Sequence, residues 1–286
     1  MKKTKQIPEK SPDRLEILSK IELHEKNGWF DVDVENDPPT RPLKSGECDY
    51  TKKKLSSKIA SEIANFFAKT YFDRLIRRKE LIIEEVRGLE NYRAVKGGAI
   101  ITSNHFSPYE QYAVFKAIEK DLGRKRLYKV IREGNYTSFP GLYGYFFRHC
   151  NTLPLASSHT VMREFTSAFC ELIKRGEKIL IYPEQAMWWN YKKPRPLKSG
   201  AFQLAVKADA PVIPFFLTMR DSEKIGADGF PIQKYTVHIL PAIYPNKDKK
   251  PREAAEDMKN RNFEAWKELY ESVYGVPLAY SDAGVD

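Results

Sequence analysis

The chain has 286 residues, 42% of them apolar, enough for one large domain or two modest ones, and its composition excludes a fibrous or wholly disordered protein. Lys and Arg outnumber Asp and Glu by 48 to 38, a net charge of +10. That excess favours an anionic partner, and the lack of RNA motifs, zinc-finger spacing and Arg/Gly repeats argues against nucleic acid. Cys48, Cys150 and Cys170 show neither metal-ligand spacing nor a paired framework. With no secretion-signal pattern and no run of about 18 apolar residues, a cytoplasmic protein without a spanning helix is expected.

Residues 1–53 read as an irregular, charged extension, with a mobile basic tail at Met1–Lys10. Asp31 to Asp37 is spaced like a calcium loop, but Asn36 stands where such a loop needs Gly and Pro42 where it needs Glu. Pro38, Pro39 and Pro42 force an extended connector. Residues 54–79 predict an amphipathic helix with Ile59, Ile63, Phe66, Phe67, Tyr71 and Leu75 near helical spacing, ending in Arg74, Arg77, Arg78 and Lys79. Two readings stand: a helix packed on the main domain, or one lying on an anionic membrane surface.

From residue 80 to 286 short apolar strands alternate with helices. Strands are expected at Leu81–Val86, Ala99–Thr102, Leu127–Ile131, Thr152–Leu155, Lys178–Tyr182, Val212–Leu217 and Tyr235–Leu240. Helices are expected at Tyr109–Lys120, 137–149, Val161–Arg175 (stopped by Gly176), Ala201–Ala208 and 251–274. The alternation predicts an α/β fold with a mixed, largely parallel sheet flanked by helices.

Chemistry concentrates where two strands end. After Ala99–Thr102 comes Ser103-Asn104-His105-Phe106-Ser107-Pro108-Tyr109-Glu110. Residues five apart on one helix point about 140° apart, so His105 must lie in the turn and Glu110 in the first helical turn if they are to meet. Ser107 as N-cap, Pro108 at the first position and Glu110 at the third permit this. A carboxylate-steered imidazole at a sheet rim is a candidate general base. The same residues also spell a capping box, in which Glu110 only bonds the Ser107 backbone. The strand Lys178–Tyr182 likewise runs into Pro183-Glu184, an acid at the same rim or an ordinary loop carboxylate. Trp188, Trp189 and Tyr191 read as a substrate-facing aromatic wall or as packing under a loop.

Taken in order, these blocks resemble the glycerolipid acyltransferases, typified by 1-acylglycerol-3-phosphate acyltransferase. Asn104, His105 and Ser107 match the family's N-H-x-S-x-x-D, with Glu110 for its Asp; Tyr182, Pro183 and Glu184 match the start of F-P-E-G-T-R. Lys198, Gly200, Ala201 and Phe202 match K-x-G-A-F, and Val212, Ile213 and Pro214 a V-x-P strand, so the likeness spans residues 80–245. It implies an O-acyltransferase of phospholipid biosynthesis or remodelling, peripheral on the inner membrane face. Acyl coenzyme A or acyl carrier protein would be the thioester co-substrate, a lysophospholipid the acceptor, with no metal or tightly bound cofactor. His105 and Glu110 would be catalytic, and Asn104, Ser107, Glu184, Lys198 and Gly200 would bind substrate. Gln185-Ala186-Met187 replaces the family's G-T-R, and Ser157 stands where another family arginine falls. Arg148 and Arg195 are then the candidate replacement guanidiniums, with Lys192, Lys193 and Lys198 as further sources of charge. A thioester hydrolase on the same scaffold, or a non-catalytic basic binding protein, are the alternatives; the missing G-x-S-x-G elbow weighs against a serine hydrolase.

Overall fold

A computed structural model describes residues 8–36 and 39–281. Most of the tail Met1–Lys10, and Asp37 and Pro38 of the calcium-like stretch and connector, lie outside the described residues. The sheet has seven strands: β1 (Ile82–Arg87), β2 (Ala99–Thr102), β3 (Leu127–Ile131), β4 (Thr152–Pro154), β5 (Lys178–Ile181), β6 (Val212–Ile225) and β7 (Pro231–Ile239). Their order is β1-β7-β6-β2-β5-β3-β4. Every neighbouring pair is parallel except the β6–β7 hairpin.

Strand residues alternate between two cores. Ile100, Ile179, Ile181, Val212 and Phe216 face helices α7 (His159–Lys174), α8 (Gly200–Ala208) and α9 (Pro251–Tyr274). Ile101, Leu180, Ile213, Phe215 and Leu217 face α2 (Leu55–Arg77), α3 (Leu89–Ala94) and α4 (Glu110–Ile118). Central strands buried on both faces are what a parallel sheet requires, so they read as unbroken apolar runs. Gly176, at a φ of 86°, ends α7 by donating its N–H to the Ile173 carbonyl.

The structure adds to or differs from the sequence expectations in several places. Residues 12–26, read as irregular, form helix α1 (Pro12–Lys26). Ile17 and Ile21 of α1 pack on Trp188 and Trp189, which settles those tryptophans as loop packing. The helix expected at 137–149 is two, α5 (Glu133–Thr137) and α6 (Gly141–His149), parted by Pro140, which bars helical backbone at the residue before it. The β6–β7 hairpin runs well beyond the apolar stretches read as strands. In α2, Ala64, Phe72 and Leu75 are buried, but Ile59, Ile63, Phe66 and Phe67 face solvent. The packed face of that helix is therefore the opposite one. Among the described residues no helix is long and apolar enough to cross a membrane.

Candidate active site

The site follows from strand register. Parallel pairing sets Thr102 of β2 beside Ile181 of β5, so both chains leave the sheet at one edge, next to each other. The loop after β2 is anchored by Asn104, whose buried side-chain amide donates to the Leu217 carbonyl (3.0 Å) and accepts from its N–H (2.9 Å). Asn104 thus extends strand pairing to β6 and is occupied by it. Ser107, also buried, accepts the Tyr109 N–H at 3.1 Å.

His105 and Glu110 meet. The Nδ1 of His105 lies 2.5 Å from Oε1 of Glu110, with the imidazole 22% and the carboxylate 1% exposed. Helix α4 begins at Glu110 itself, after Tyr109, and Ser107 caps the turn just before it through the Tyr109 N–H. Oε1 of Glu110 serves the imidazole rather than the Ser107 backbone. The His105 ring stacks on Tyr182, 3.9 Å between centroids and 11° between planes. Lys129, in β3, donates to Gln111 at 2.6 Å and lies near Glu110. Burial pushes its pKa down, against the opposing pull of Cys150 and Glu110.

Glu184 is brought to the same place but not to its surface. One oxygen accepts the Arg195 N–H at 2.9 Å; the other accepts the His105 N–H at 3.0 Å and the Arg195 guanidinium at 2.9 Å. The ion pair is 1% and 2% exposed. Arg195 also donates to the carbonyls of Phe30 (2.9 Å), His105 (3.3 Å) and Ala186, and lies over the Trp188 ring. Glu184 and Arg195, expected to bind substrate, are here buried and bonded to each other and to the His105 loop, which they hold.

The remaining sequence candidates lie away from the imidazole. Lys198 pairs with Asp31 at 2.7 Å on the surface, while its backbone N–H holds the Pro183 carbonyl. Gly200 opens α8 with free space around it. Arg148 donates to the Phe139 carbonyl at 3.2 Å, at the corner of α5 and α6. Ser157 bonds Glu133, and Lys193 bonds Glu25 at 2.6 Å. Both ends of the described chain reach this loop: the Tyr280 hydroxyl donates to the Pro194 carbonyl and the Ser281 N–H to Glu25. Gln185 keeps a left-handed backbone, φ 67°, where the family motif carries Gly; the turn survives although the residue does not.

Two contributors escaped the sequence reading. Lys129 was signalled only by a charge inside an apolar strand. Tyr182 was matched to a motif position, but nothing in a single sequence shows that its ring lies on the imidazole.

Among the described residues no group of three or more His, Cys, Asp and Glu side chains could hold a metal ion. The acyltransferase family profile matches residues 84–218, the stretch holding His105, Glu110 and Glu184. The fold is similar to the crystal structure of the 1-acyl-sn-glycerophosphate (LPA) acyltransferase PlsC from Thermotoga maritima, with a TM-score of 0.52 and 17% identity over 78% of this chain and 83% of that one. No curated protein matches the chain in sequence.

Proposed function

Through residues 84–218 the chain belongs to the acyltransferase family, and from that premise we propose that it moves a fatty acyl group from an acyl thioester to a hydroxyl of a lysophospholipid-type acceptor. The carrying observation is the His105–Glu110 pair at the sheet edge, 2.5 Å apart with a partly exposed imidazole.

With Nδ1 donating to Glu110, Nε2 is left as the acceptor nitrogen. It takes the proton of the acceptor hydroxyl as that oxygen attacks the thioester carbonyl carbon. Glu110 stabilises the imidazolium so formed. The oxyanion is met by the first N–H groups of α4, which have no intrahelical partner. As the carbon–sulfur bond breaks, the imidazolium returns the proton to the leaving thiolate. Ester and thiol are the products, and the step balances without a further cofactor. Acyl coenzyme A and acyl carrier protein share the thioester this chemistry requires. Because Arg195 is consumed by Glu184 and backbone carbonyls, it offers no free fork to an acceptor phosphate.

Acyl chains need a lipid surface. The outward apolar face of α2, joined by exposed Leu142 and Tyr143 of α6, supports a peripheral site on an anionic membrane of the cytoplasmic face. The packed side of α2 reaches the site, with Phe72 edge-on to Tyr109, and α2 and α6 meet where the Tyr71 and Tyr143 hydroxyls are 3.1 Å apart.

The test is thiol release by the full chain from each donor with mixed lysophospholipids in vesicles. His105→Ala should lower it by about 10²–10⁴ while circular dichroism stays unchanged. Wild-type turnover by a folded variant would refute the base assignment. Equal release without any acceptor would assign a hydrolase instead, and mass analysis of the products identifies the acceptor.

A further inference from the structure

Two buried polar atoms at the site have no hydrogen-bond partner: the Tyr182 hydroxyl and Oε2 of Glu110. They belong to side chains that already meet at His105. Tyr182 lies flat on the imidazole, while Glu110 holds the Nδ1 edge through its other oxygen. The hydroxyl is close enough to Glu110 for the carboxylate to raise its pKa further, on top of the larger effect of burial, although it completes no bond of good geometry. An unpaired buried hydroxyl beside an unpaired carboxylate oxygen is costly, and a bond between the two would satisfy both.

Resting on the acyl-transfer reading above, we propose that Tyr182 is a positioning residue of the dyad, its ring fixing the plane of the imidazole and its hydroxyl donating to Oε2 of Glu110 when the imidazole is charged. Proton uptake by Nε2 draws the Glu110 carboxylate toward the ring and concentrates demand for a second donor on the free oxygen. Tyr182 is the neutral donor in place. Phenylalanine, the residue the family motif carries at this position, supplies the ring without the donor. The other charged or titratable groups facing the pair are Glu184 and Arg195 from the loop after β5, Lys129 from β3 and Tyr235 from β7. The first two are bound to one another. Lys129 is bound to Gln111, and burial suppresses ionisation of Tyr235. None of these replaces the missing donor to Oε2.

The experiment is proton NMR of the full-length protein, following the low-field Nδ1–H signal of His105, assigned by its loss in His105→Ala. Tyr182→Leu should broaden or erase that signal and lower kcat about tenfold at unchanged KM. Tyr182→Phe should keep the signal at a displaced frequency, recover most of kcat and, by removing a donor that favours the charged imidazole, move the acid limb of the kcat/KM profile to lower pH. A signal at the wild-type frequency in both variants, with an unmoved pH profile, would overturn the proposal. Tyr182→Phe conserves volume, so the hydroxyl is tested even if Tyr182→Leu does not fold. The NMR readout needs no substrate: a coupled dyad without acyl transfer would sink the enzymatic reading alone.

Discussion

Arg195 is a hub of the site's architecture. Its guanidinium and backbone reach Glu184, the His105 carbonyl, Ala186 and Phe30, tying the N-terminal extension, the His105 turn and the loop after β5 at one point. A buried ion pair gains little over a well-packed apolar pair, but removing one partner strands the other charge. Arg195→Met is therefore expected to lower unfolding free energy by about 3–5 kcal/mol in urea titration. The paired variant Glu184→Gln with Arg195→Met should lose less than the sum of the two single changes. A loss under about 1 kcal/mol for Arg195→Met would show the pair to be dispensable. At this scale the sequence was half legible. His105 and Glu110 could be named from their spacing and the turn between them, because those are local. That Glu184 and Arg195 face inward could not, since it depends on contacts far along the chain, such as that of Arg195 with the Phe30 carbonyl.

Among the elements, α2 shows the reverse pattern. Periodicity revealed its apolar stripe but not which side packs, because two faces of this helix carry apolar residues. Small Ala64 and Ala68 approach α6 at Phe146, and Phe72 and Leu75 enter the core. That leaves Phe66 and Phe67 in water at 66% and 55% exposure. Exposed Lys53, Lys54 and Lys58 flank the stripe at one end, Arg74 and Arg77 at the other. Replacing Phe66 and Phe67 together by Ser should weaken sedimentation with anionic vesicles by tenfold or more, since a fully buried Phe is worth about 1.5–3 kcal/mol. Thermal stability should not fall. Raising salt should weaken wild-type binding as well, because the flanking charges are screened. Unchanged sedimentation of the double variant would remove α2 as the membrane face. The short helix α3 and the polar outer arms of β6 and β7 went unread for another reason. Residues of those arms, such as Arg220 and Asp221, are held by cross-strand pairing rather than by any pattern of their own, and the six residues of α3 are too few to show a helical period.

For the molecule as a whole, pH response is set by bases buried in the sheet as well as by the net charge of +10. His238 lies in β7 with Nε2 3.0 Å from the Thr218 hydroxyl. Burial, aided by Arg87, lowers its pKa to about 4, with Glu85 opposing. The unfolded chain, near 6.5, then binds the proton more readily than the folded one. Stability is retained above pH 6.5 and lost as pH falls toward 4, by about 3 kcal/mol over that interval. His238→Gln keeps a hydrogen-bonding group for Thr218 and should remove that part of the acid loss in denaturant titrations at pH 7 and pH 4.5. An identical loss in the variant would locate the acid sensitivity elsewhere. The α/β class was legible at this scale because β2, β5 and the start of β6 are apolar on both faces, as buried parallel strands must be. Strand order was not, since it is decided by which edges meet.

The Tyr280 hydroxyl and the Ser281 amide close on Pro194 and Glu25, and Lys193 grips that same glutamate from the loop. Helix α1 and the segment at Tyr280 thus act as two fingers on one knot. A change that loosened either grip would travel along this loop to Arg195 and from there to the turn that carries the imidazole.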